Sequence, residues 1–193
     1  MTMRGNQVKA SIGGDPSGDL ERPAHDLYRS HPHITEALLT VERFPGTTWE
    51  CACGMGDMSE VLSASGLRVI STDLINYGYS ATTHDFLRDA PLASFHNVVT
   101  NPPFSLAEEF AHRALEVTPA TGKVALLCRL AWLEGSGRYR RLFATAPPTR
   151  IWCFSKRIAM ARGYDEEFQT GLMAFCWIVW QKGDLGRTEF GWL

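Results

Sequence analysis

The chain has 193 residues, 45% hydrophobic and 21% charged, with a formal net charge of −2 at pH 7. That is long enough for one domain with a real core, and too balanced for a disordered chain or a globally basic nucleic-acid binder. No apolar run is long enough to cross a membrane and the first twenty residues are polar and glycine-bearing, not a secretion signal, so the expected compartment is the cytoplasm.

Cys51, Cys53, Cys128, Cys153 and Cys176 are odd in number and sit in apolar, strand-like runs. They read as reduced core thiols, and none has zinc-ligand spacing to a second pair, so no metal is expected. Charge is unevenly spread. Between Glu134 and Asp165 there is no acid, while Arg138, Arg140, Arg141, Arg150, Lys156, Arg157 and Arg162 all fall there. Such a segment on an otherwise acidic chain fits a phosphate-backbone contact or a solvated helix face.

Residues 1–21 carry Gly5, Gly13, Gly14, Pro16 and Gly18 and are expected to form a flexible arm, with residues 22–193 as the domain. A helix is predicted over 32–43: Ile34, Ala37, Leu38 and Val41 recur at helical spacing, Pro32 suits the first turn, and Pro45-Gly46 stops it. A strand over 47–52 runs into the turn Cys53-Gly54-Met55-Gly56-Asp57, and a helix begins at Ser59, capped by Asp57 or Ser59. Gly54 and Gly56 let the backbone turn tightly and let a ligand approach it. The third glycine of the dinucleotide fingerprint would fall where Ser59 stands, which counts against a nicotinamide cofactor.

A second strand over 67–72 ends at Asp73. An acid about 20 residues beyond a glycine turn suits ribose hydroxyls, or a turn cap. His84-Asp85-Phe86-Leu87 reads as a loop. A third strand over 96–100 runs into Asn101-Pro102-Pro103-Phe104. The prolines have φ fixed at about −65° and push the residues before them out of the helical region. The Asn101 side-chain oxygen and the Pro102 carbonyl then become rigid acceptors beside an aromatic ring, suited to a planar group bearing an amine. An ordinary Pro-Pro turn is the plain alternative.

Further on come a helix over 105–117 capped by Ser105, a strand over 123–129, and a helical stretch over 135–144 carrying Arg138, Arg140 and Arg141. A strand over 151–154, an irregular loop over 156–169, a long strand over 171–180 and an edge strand over 187–192 complete the chain. Alternating βα units predict an α/β, Rossmann-like fold: a mostly parallel seven-stranded sheet with one antiparallel strand and helices on both faces. Its carboxyl edge would gather the glycine turn, Asp73, Asp85 and Asn101.

Asn101-Pro102-Pro103-Phe104 resembles the catalytic motif of amino-directed, S-adenosylmethionine-dependent methyltransferases, above all small phage-type N6-adenine DNA methyltransferases. Glu50-Cys51-Ala52-Cys53-Gly54-Met55-Gly56 resembles their Glu-Pro-Ala-Cys-Gly-x-Gly motif, with Cys51 in place of proline. The resemblance runs from Tyr28 to the C-terminus and includes Leu130-Ala131-Trp132-Leu133-Glu134, Arg138-Tyr139-Arg140-Arg141-Leu142-Phe143 and Phe154-Ser155-Lys156-Arg157. Tyr28-Arg29-Ser30-His31-Pro32 loosely matches a Tyr-Thr-Pro-like cofactor element.

The resemblance implies the class I methyltransferase fold, S-adenosyl-L-methionine as cofactor and transfer of its methyl group to the N6 amine of adenine in DNA. Cofactor contacts would come from Glu50, Ala52, Cys53, Gly54, Gly56, Leu74 and Asn101, with the ribose on Asp73 and the adenine on Asp85 and Phe86. Asn101, Pro102, Pro103 and Phe104 would hold the target amine, Phe104 stacking on the base. Arg138, Arg140, Arg141, Lys156 and Arg157 are the candidate nucleic-acid contacts. RNA as substrate, a protein glutamine amide, and a binding module without activity are the rival readings; a monomer or homodimer is expected, with no membrane partner.

Overall fold

The computed structural model describes residues 27–79, 82–163, 167–171, 173–184 and 186–193. The arm expected at 1–21 lies outside the described residues. Across the main sheet the strands run Glu189–Trp192 (β11), Arg150–Cys153 (β7), Phe175–Gln181 (β10), Lys123–Arg129 (β6), Asn97–Thr100 (β5), Thr47–Glu50 (β2), Arg68–Asp73 (β3) and Thr82–Thr83 (β4). Only β10 is antiparallel, to both β6 and β7; the other pairings are parallel. The expected seven strands and single reversal are present, and the two-residue β4 adds an eighth at the edge.

The central strands are apolar throughout because both faces of the sheet are covered. Side chains alternate between two cores. Val98, Val124, Leu126, Cys128, Cys176 and Ile178 face one. Val99, Ala125, Leu127, Trp177 and Val179 face the other. Helices Pro32–Val41 (α1) and Asp57–Ala64 (α2) cover the second core with Ile34, Leu38, Met58 and Leu62. Helix Ala107–Val117 (α3) covers the first with Phe110, Ala111 and Ala114. All five cysteines are buried and unpaired, and burial pushes the Cys51 and Cys128 thiols well above their ordinary range.

Several local expectations are corrected. The N-cap of α2 is Gly56, in the left-handed region at φ 88°, with no side-chain cap. Asp57 is drawn to Arg29 instead and Ser59 is buried against Ser71. Ser105 does not cap α3: a 3-10 turn, Phe104–Leu106, precedes the helix and Leu106 is its N-cap. The stretch 135–144 is not one regular helix but a turn of α-helix, Ser136–Arg138, continuing as a π turn, Tyr139–Phe143. The predicted loop 156–169 contributes to a second, antiparallel sheet of three short strands: Tyr28–Ser30 (β1), Ala159–Arg162 (β8) and Gln169–Thr170 (β9).

At the amino edge of the main sheet one carboxylate ties three elements together. Glu42, the C-cap of α1, is 2% exposed. It accepts from Lys123 Nζ at 2.6 Å, from Trp152 Nε1 at 3.0 Å and from both Nε and Nη2 of Arg150. Burial alone would raise its pKa, but these donors outweigh burial and hold it below the ordinary value. A carboxyl depressed in the folded state stabilises the fold above its unfolded pKa, and the gain is lost as pH falls through the folded value. Glu42→Gln leaves two cations short of a counter-charge and should cost about 3–5 kcal/mol at neutral pH. In thermal melts the gap to the native chain should narrow under acid conditions, as the native carboxyl also becomes neutral.

Candidate active site

The parallel strands β2, β3, β5 and β6 end on one edge, and the cleft there is built from the loops and turns at those ends. It encloses about 840 Å³, solvent included, between the glycine turn, the loop after β3 and the corner after β5. Glu50, Ala52, Cys53, Gly54, Asp73, Leu74, Asp85, Phe86, Asn101, Pro102 and Pro103 all line it. Residues far apart in the sequence thus converge on one wall, as the sequence pattern implies.

The glycine turn is held from two sides. Gly54 N donates to Asp73 Oδ2 at 2.8 Å and Ile75 N donates to Asp73 Oδ1 at 3.0 Å. Asp73 therefore braces the turn from the end of β3. Gly54 has φ 53°, and a Cβ there would meet Leu27 Cδ1 at 3.0 Å. A Cβ on Gly56 would overlap the Tyr79 ring at 2.3 Å, so glycine is required for close packing as well as for its backbone conformation. Gly56 caps α2 beside the cleft but does not line it.

Asn101 is pinned by β1. Its Nδ2 donates to the Tyr28 carbonyl at 2.8 Å and to Ser30 Oγ at 3.0 Å. Because a carbonyl only accepts, the amide nitrogen must face Tyr28, and this fixes which way the amide points. Its oxygen, Oδ1, is buried and has no hydrogen-bond partner among the described residues. Pro103 is extended at φ −51°, ψ 126°, and its carbonyl accepts from Leu106 N at 2.9 Å, leading into α3. β1 is itself clamped to the turn by a forked ion pair, Arg29 Nε to Asp57 Oδ2 at 2.9 Å and Nη2 to Oδ1 at 2.7 Å. Nothing in the sequence signals these contacts from Tyr28, Arg29 and Ser30, where the segment shows only a loose cofactor motif.

Two aromatic expectations are corrected. Phe86 lines the cleft but is 3% exposed, its ring against Trp49 and Phe110 in the core, so it is not an open plate. Phe104 does not line the cleft: Tyr28 stacks on it at 4.9 Å and the Arg129 guanidinium lies 4.7 Å from its centroid. Tyr28 lines the cleft in its place, and Leu74, 59% exposed, is the open apolar side chain beside Asp73. Asp85 Oδ1 accepts from Leu87 N at 3.0 Å, shaping its loop.

The basic segment divides. Arg141 makes a forked pair with Glu108, at 2.7 and 2.9 Å, and Arg138 donates to the Trp132 and Glu134 carbonyls while lying over the Trp132 ring. Arg150 belongs to Glu42. Arg140, Lys156 and Arg157 are exposed and make no ion pair among the described residues. The expectation that all five candidate cations stand free for phosphate is therefore corrected for Arg138 and Arg141.

No family model matches the sequence, and no curated protein does. Solved structures do match. An inferred RNA methyltransferase of Pyrococcus horikoshii superposes with a TM-score of 0.63 at 13% identity, over 85% of this chain and 90% of that one. The fold is that of class I methyltransferases. An inferred class I S-adenosylmethionine-dependent methyltransferase of Listeria monocytogenes gives 0.59 at 13% identity, over 84% of this chain and 64% of that one. The modification subunit of an inferred type I restriction enzyme of Vibrio vulnificus gives 0.54 at 12% identity, over 83% of this chain and 46% of that one. At these identities the likeness is one of fold.

Among the described residues no cluster of three or more His, Cys, Asp and Glu could hold a metal ion, and no helix is long and apolar enough to cross a membrane. The cleft's own unusual acid is Glu50. It is 1% exposed and accepts from Thr100 Oγ1 at 2.5 Å and from Ala52 N at 3.3 Å. Burial, against the pull of those two donors, pushes its pKa up to about 8. A carboxyl raised in the folded state contributes stability that is full below its unfolded pKa and lost as pH rises to the folded value. Stability should therefore fall between about pH 4.5 and 8. Glu50→Gln should flatten that dependence, so that the variant gains on the native chain at about pH 8 relative to about pH 5 in denaturant titrations.

Proposed function

We propose that this protein transfers a methyl group from S-adenosyl-L-methionine to an exocyclic amine of a nucleobase, with adenine N6 in DNA as the target. The observation that carries the reading is the Asn101 amide: nitrogen satisfied, oxygen buried and without a partner among the described residues, in a residue on the wall of a cleft beside the glycine turn. A buried acceptor without a partner calls for an explanation, and a donor on a bound ligand is the one this position in the cleft favours. The methyltransferase fold supports the reaction class. The RNA methyltransferase and the restriction-enzyme modification subunit among the similar structures support a nucleic acid as substrate.

The donor set fits the cofactor. Asp73 stands at the cleft wall where the ribose hydroxyls would lie, Leu74 and Asp85 offer an apolar face and a carboxylate on the same wall, and Gly54 carries no side chain to block close approach. When bound, S-adenosyl-L-methionine supplies a methyl group already activated by its sulfonium. Asn101 Oδ1 and the Pro102 carbonyl accept from the target amine and keep electron density on its nitrogen. Tyr28, backed by Phe104, takes the stacking role that the motif resemblance gives to Phe104, worth about 1–3 kcal/mol per base. The base must leave a duplex to reach this corner. No nucleophilic side chain is needed; the protein's contribution is orientation and stabilisation of developing charge.

Asn101→Ala should retain cofactor affinity by calorimetry and lose most transfer of labelled methyl to unmethylated DNA. Asp73→Ala should do the reverse in kind, weakening cofactor binding first. Unchanged turnover in Asn101→Ala refutes the assigned role, and transfer to RNA in preference to DNA moves the substrate to the rival class.

A further inference from the structure

The mechanism leaves one charge near the corner unused. Arg129 ends β6, the strand next to β5, and is paired across the sheet with Phe175. Its guanidinium lies 4.7 Å from the Phe104 ring centroid. The side chain is only partly exposed, its Nε is buried without a partner, and among the described residues its guanidinium makes neither a hydrogen bond nor an ion pair. A cation drawn partly out of water without a counter-charge is unfavourable unless something anionic completes it. A planar guanidinium fork matches a phosphate more closely than an ammonium does.

Its surroundings have a sign. The acids on the cleft wall, Glu50, Asp57, Asp73 and Asp85, come from β2, β3 and the segments after them. Beyond β5 the same edge carries Arg129 and then, shortly past the end of β7, Lys156 and Arg157, with the exposed Glu134 in the segment after β6. β7 lies two strands from β6, about 10 Å across the sheet. Arg138 and Arg141 stand apart from this row, already engaged by the Trp132 and Glu134 carbonyls and by Glu108.

We propose that Arg129 receives a backbone phosphate next to the target nucleotide, and that Lys156 and Arg157 continue the track along the edge from β6 to β7. This rests on the reading of the site as acting on a nucleic acid. The strand is held over the basic half of the edge while the base drops toward Asn101 at the boundary with the acidic half.

The test is fluorescence anisotropy with a labelled mixed-sequence DNA duplex and its RNA counterpart over a salt series, with cofactor affinity measured alongside. Arg129→Gln should lower the slope of log affinity against log salt by about one, and the pair Lys156→Gln with Arg157→Gln by about two. Arg141→Gln should leave it unchanged. Arg129→Lys should restore the slope, since it keeps the charge. An unaltered slope in Arg129→Gln overturns the inference alone. So does a loss shared by Gln and Lys with weakened cofactor binding, which marks a structural role. If the native chain binds neither duplex at low salt, the nucleic-acid reading falls as well.

Discussion

The proposed chemistry at the carboxyl edge depends on the orientation of one amide. Asn101 Nδ2 is occupied by the Tyr28 carbonyl and Ser30 Oγ, which leaves its buried oxygen, without a partner among the described residues, as the proposed acceptor. Were the amide reversed, a donor would face an incoming amine and two acceptors would face each other behind it. β1 is thus less a piece of sheet than a jig. It is set by pairing with β8, by the Arg29–Asp57 fork and by the Tyr28–Phe104 stack. The prolines perform the complementary task from the other side, holding the backbone of the corner extended.

The edge also sorts charge. Glu50 sits at the end of β2 with its pKa raised to about 8 by burial, which the hydrogen bonds from Thr100 and Ala52 only partly offset. Arg129 sits beyond β5 and makes no ion pair among the described residues. Where charges on this chain serve the fold alone, they are matched, as Glu42 is by Lys123 and Arg150.

Much of this is legible in the sequence because the signals are local. Runs such as Val98-Val99 and Val124–Cys128 announce strands covered on both faces, and Lys123–Arg129 is found at the predicted bounds. Two glycines, an acid and Asn101 mark strand ends, so a parallel sheet brings them together automatically. The features that escape the sequence are long-range or too short to have a period. β1, β8 and β9 have two to four residues each and no alternation to read. Phe104 reads as a free ring because nothing local says that Tyr28, far upstream, lies on it. Glu42 finds its partners 81 to 110 residues away, and Arg138 and Arg141 look available only because Glu108 lies in another element.

One helix links the two ends of the sheet. α1 begins at Pro32, just past Ser30, and reaches its C-cap at Glu42, so ten residues, about 15 Å of rigid rod, join the jig to the charge cluster on the opposite rim. Such a strut transmits displacement rather than absorbing it. Damage at the far rim, nowhere near the ligands, would tilt the rod and swing the Asn101 oxygen off its mark, so lesions there would masquerade as defects of chemistry.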